Sequence, residues 1–98
     1  MRRGTTPANV FMVDVDLRDA VKLYVTYKQG GKTIIEKTID DVEITEESVS
    51  VELTQADTLK FKNGEVQMQI RARLPDGTAL ASDIMTASVS AILKDGAI

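Results

Sequence analysis

The chain contains no histidine, no cysteine and no tryptophan. Without histidine or cysteine there is no Ser-His-Asp or Cys-His nucleophile, no thiol redox couple and no ordinary zinc site. Nor can disulfides hold the fold, so packing must. Aromatics are scarce: Phe11, Tyr24, Tyr27 and Phe61 are the whole set. A cleft for glycoside hydrolysis, or a platform for sugars, would need more of them. No long apolar run is present to form a membrane-spanning helix. Arg2 and Arg3 lack an apolar stretch behind them, so a secretion signal is not expected.

What remains is 98 residues, enough for one domain, 43% of them apolar and 28% charged. The core must be Val, Ile, Leu and Met. The net charge of −3 is not that of a general nucleic-acid binder, and a polybasic membrane patch is missing. Residues 1–98 are expected to form a single domain, with 1–7 and 94–98 as loose ends.

Alternation of apolar and polar residues organises the chain. Residues 9–15 put Phe11, Val13 and Val15 on one face, and Val10 and Met12 join Asp14 and Asp16 on the other. After a turn that returns Leu17 to the core, Val21, Leu23, Val25 and Tyr27 point inward and Lys22, Tyr24, Thr26 and Lys28 outward. Gly30 and Gly31 supply the positive φ that a two-residue hairpin turn demands. Ile35 and Ile39 share a face of the return strand. VEIT and VSVEL are two further short strands, the second with Val49, Val51 and Leu53 inward.

The one helical signal is TQADTLKF, with Thr54 as N-cap and Asp57 three residues on. It predicts a single turn near 54–61 that crosses between sheets, with Leu59 and Phe61 plugging the core. Residues 65–74 are the longest alternating run: Val66, Met68, Ile70, Ala72 and Leu74 against Gln67, Gln69, Arg71 and Arg73. Pro75-Asp76-Gly77 then turns the chain. The last strand buries either Met85, Ala87, Val89 and Ala91 or Ile84 and Ile92, and the first set is favoured. Together these predict an all-β chain: one antiparallel sandwich of about seven strands, immunoglobulin-like, with one short helical turn.

Acidic residues cluster twice, at Asp14, Asp16 and Asp19 and at Asp40, Asp41, Glu43, Glu46 and Glu47. The first resembles a calcium loop only superficially, since Arg18 stands at the fifth ligand position and the glycine is missing. Solvated edges that oppose edge-to-edge pairing explain both clusters, and no metal or other cofactor is expected. Gly30-Gly31 lacks the following helix and Lys-Ser/Thr step of a phosphate loop. Gln67, Gln69, Arg71 and Arg73 form a polar strand face without interleaved aromatics, which argues against single-stranded nucleic acid and suits a protein contact. The charged strands are expected to guard the sheet edges, so a face rather than an edge is the expected contact.

Three segments, FMVDVDLRDAVKLYVTYKQGG, VSVELTQADTLKFKNGEVQMQIR and DGTALASDI, carry a resemblance. They resemble small proteins encoded by phages and prophages of Firmicutes, many of which start MRRGTTP and end near KDGxI. The chain is also similar to the immunoglobulin-like N-terminal domain of siphophage baseplate upper proteins. The resemblance implies a non-enzymatic structural or assembly role in a virion, with other virion proteins or further copies of itself as partners. It carries no catalytic residues across, and no small-molecule substrate. It implies a location in the virion, or in the bacterial cytoplasm before assembly. Two rivals are a β-sandwich that binds carbohydrate or a cell-surface ligand, and an intracellular phage protein that binds a host factor.

Overall fold

A computed structural model describes residues 1–98 as eight strands in two antiparallel sheets packed face to face. The smaller sheet has the order β1 (Ala8–Met12), β5 (Ser48–Glu52), β4 (Val42–Ile44). The larger runs β3 (Lys32–Thr38), β2 (Lys22–Gln29), β6 (Gly64–Arg73), and ends in β7 (Ala79–Ala81) and β8 (Met85–Val89), which both pair with β6. β7 pairs with Arg71–Arg73 and β8 with Gly64–Met68, so the two form one edge strand, broken between them. Ser82 sits in the break and accepts a 3.0 Å bond from the Ile70 N–H through its hydroxyl. The extra strand beyond the seven expected comes from this break.

In chain order the elements follow the immunoglobulin sandwich from its second strand onward. β1, β4 and β5 take the places of B, D and E, and β2, β3, β6 and β7–β8 those of C, C′, F and G. No strand lies outside β1, where the first strand of that fold would pair.

Between the sheets lie Phe11, Leu23, Val25, Tyr27, Ile35, Val49, Val51, Leu53, Phe61, Val66, Met68, Ile70 and Val89, all buried. All but Phe61, which follows the crossover helix, are inward positions of the period-two pattern, and Leu17 and Ala20 join them from the turn after β1. The Tyr27 and Phe61 rings meet at 6.0 Å, tilted by 47°. The Tyr27 hydroxyl accepts a 2.8 Å bond from Asn9 Nδ2, which satisfies its polar tip inside the core.

The crossover helix α1 (Gln55–Leu59) begins where the capping residues place it. Thr54 Oγ1 accepts from the Asp57 N–H (3.1 Å), and Asp57 Oδ2 accepts from the Thr54 N–H (3.0 Å). Phe61 is buried as expected, but Leu59 is half-buried; Asp57 and Thr58 face inward instead. The polar pair is tolerated because both are bonded: Thr58 Oγ1 donates to the Thr5 carbonyl (2.8 Å) and Asp57 Oδ2 lies 2.9 Å from Lys37 Nζ.

Several expectations give way to the structure. β1 stops at Met12 because the chain bends at Asp14–Val15, which leaves Val15 exposed. Val21 is exposed too, because it lies ahead of β2, which begins at Lys22. The Met85 face of the last strand is the inner one, but Ala91 lies beyond the end of β8 and is exposed. Residues 1–3 are not loose: they run parallel to the end of β8, with the Ser90 N–H donating to the Met1 carbonyl (2.8 Å) and the Arg3 N–H to the Ser90 carbonyl (3.1 Å). Arg3 also donates to the carbonyls of Phe61 (Nε, 2.7 Å) and Leu59 (Nη2, 3.1 Å). Even the exposed C-terminal residues have ties, from Gln55 to both backbone groups of Ile98 and from Arg3 to Asp95 at 3.5 Å.

Candidate functional site: the outer face of the larger sheet

Antiparallel register aligns β2 and β6 so that Lys28 faces Gln67, Thr26 faces Gln69, Tyr24 faces Arg71 and Lys22 faces Arg73. Register partners in a sheet point their side chains to the same side. Glu36 and Thr38 of β3 therefore widen the face on one side, and Ala79, Ala81, Thr86 and Ser88 of β7 and β8 on the other. The result is four strands wide and open to solvent. Among its strand residues Lys22, Lys28, Arg71 and Arg73 stand against Glu36 and Glu65, a net +2 on a chain whose total is −3.

Three of the four residues expected to form a contact face do lie exposed on it: Gln67, Arg71 and Arg73. Gln69 is different. It is half-buried, and its Nε2 donates to the Ser82 carbonyl at 2.9 Å, bracing the break between β7 and β8. Lys22, Tyr24 and Lys28 belong to the same face. Their outward alternation was visible in sequence, but not that β2 would be the neighbour of β6.

The face gathers polar side chains that have no partner within the chain. Some long polar groups elsewhere act as braces, Arg3 on carbonyls, Arg18 on Asp16, Lys37 on Asp57, Gln29 on Lys62 and Gln55 on Ile98, while others such as Lys32, Lys60 and Glu52 are as free as those of the face. The side chains of Lys22, Tyr24, Lys28, Gln67, Arg71 and Arg73 make no hydrogen bond or ion pair within the chain. Such groups offer donors and positive charge to an incoming acidic or polar surface, with Tyr24 beside Arg71 supplying apolar area.

One carboxylate in each acidic cluster, Asp16 and Asp41, is occupied with local work. The Arg18 side chain bonds both oxygens of Asp16 and, with the Arg18 N–H, holds its carboxyl below the usual carboxylate range. The Thr38 N–H and hydroxyl do the same for Asp41 as it caps the 3₁₀ turn Ile39–Asp41. No three carboxylates converge closely enough to share an ion.

The chain matches no protein-family model, no curated protein and no solved structure.

Proposed function

We propose that this chain is a non-enzymatic module of a phage or prophage particle that contacts another virion protein, or a further copy of itself, through the outer face of its larger sheet. One observation carries the contact: six neighbouring long side chains on that face, from Lys22 to Arg73, have no partner inside the chain. The resemblance of the sequence to phage and prophage proteins supports the virion, with the bacterial cytoplasm as its place before assembly. A sugar-binding role has less support, because Tyr24 is the one aromatic ring that is not buried.

The test is a Gln67→Glu, Arg71→Glu double variant, which spares the structural Gln69. Its melting midpoint should stay within about 5 °C of wild type, since exposed substitutions of this kind rarely exceed about 0.5 kcal/mol each. Mass spectrometry of particles purified after prophage induction should find the wild-type chain and not the variant. Particles that form normally and never contain the wild-type chain would transfer the proposal to an intracellular host-factor binder.

A further inference from the structure

The smaller sheet ends at β1, and β1 is the unguarded edge of the molecule. The other edges carry devices that oppose strand addition. β3 bears Lys32, Glu36 and Lys37 and has a bulge at Ile34; β4 has three residues with Glu43 at its centre; β7–β8 is broken. β1, Ala-Asn-Val-Phe-Met, has neither charge nor bulge. Pairing with β5 is bracketed by the Leu53 N–H to Pro7 carbonyl bond and the Val13 N–H to Glu47 carbonyl bond. By the alternation of an antiparallel ladder, the N–H and C=O of Val10 and Met12 then point away from β5, toward the open side. Their side chains are 59% and 72% exposed.

Beside that edge the sandwich is open. A groove of about 450 Å³ separates the end of β1 at Met12 and the following bend from the β7–β8 edge, lined also by Val13, Leu17, Ile70, Leu80 and Met85. Asp14 and Asp83 stand on it, and neither has an ion-pair partner. The surface of 6226 Å² exceeds the roughly 5,500 Å² that a compact chain of this mass would expose, in keeping with an unclosed side. Residues 1–3 already lie parallel to the far end of β8 and mark the line that a covering strand would take. A strand antiparallel to β1 in this groove is also parallel to β8, so one segment can satisfy both walls.

We infer that this groove accepts an extended strand donated by another protein, apolar at alternate positions and basic between them, which lies outside β1. Backbone bonds to Val10 and Met12 hold the strand, apolar side chains fill the groove, and its cations meet Asp14 and Asp83. This surface is separate from the sheet face proposed above, so either can fail alone.

The probe is a blocked peptide, Lys-Val-Thr-Val-Arg-Ile-Lys, with a control in which glutamate replaces each lysine and arginine. Saturable binding to the full chain is expected, at least tenfold weaker for the glutamate peptide. Bound peptide should slow hydrogen exchange at the Val10 and Met12 amides. Met12→Pro removes one outward N–H and leaves the β5 ladder intact, and should weaken binding at least tenfold. Val10→Lys keeps the N–H but puts a positive charge on the edge, which opposes addition of a basic strand, and is the second variant if the proline one fails to fold. Equal affinity for both peptides, no saturation, or binding untouched by Val10→Lys overturns the proposal. So does a peptide-free chain that is dimeric with those amides already protected, because a second copy is then the occupant.

Discussion

Phe61 is the residue on which the crossover depends. It follows α1, is 1% exposed, and packs against the buried ring of Tyr27. Phe61→Ala should cost about 3–5 kcal/mol, read as a fall in the denaturation midpoint, through lost burial and the cavity left behind. Asp57, four residues earlier, tests the electrostatics of the same segment. Burial opposes its ionisation, but the Thr54 N–H, the Lys37 ammonium and the Thr54 hydroxyl outweigh it and hold its pKa below the usual value. A depressed native pKa gives stability that is fully present above the unfolded value of about 3.9 and is lost as pH falls through the native one. Asp57→Asn should therefore be less stable than wild type at pH 7 by about 1–3 kcal/mol, and the gap should close on acidification below about pH 4. A gap that is constant from pH 7 to pH 2 would show that the carboxylate charge contributes nothing.

Among the elements, the β2–β3 hairpin is the one most fully written in local sequence. Gly30 and Gly31 adopt φ of +59° and +78°, and a Cβ at either would meet open space. The cost of Gly31→Val is thus conformational rather than steric against neighbours: about 1–2 kcal/mol, visible as a lower melting midpoint. An unchanged midpoint would mean that the turn rearranges freely. The edges were less legible. Charge was expected to guard them all, and it does so at β3 and β4, but the first strand carries none. That exception matters only once β1 is known to be an edge, a fact of sheet order rather than of the strand itself.

At the scale of the molecule, the contrast between the two polar populations is the main finding. Side chains that look alike in sequence are divided by the fold into braces and free groups. Gln67 and Gln69 are two residues apart on the same face, yet Gln69 reaches the Ser82 carbonyl and Gln67 reaches nothing. Arg3 and Arg71 differ likewise: the first ties the N-terminal segment to the crossover, and the second is idle.

Strands, hairpin glycines, the capped turn and most inward positions were legible along the chain, because period-two burial, positive φ and N-capping are local rules. Val15, Val21 and Ala91 obeyed the period and still came out exposed, because each lies outside its strand: β1 ends at Met12, β2 begins at Lys22 and β8 ends at Val89. Only tertiary structure decided which strands are neighbours, and hence that Lys22, Tyr24 and Lys28 join Gln67, Arg71 and Arg73 in one surface. It also decided that the N-terminal segment is fastened to β8 and that β1 faces an open groove. These depend on pairings between residues far apart in the chain, which no local pattern encodes.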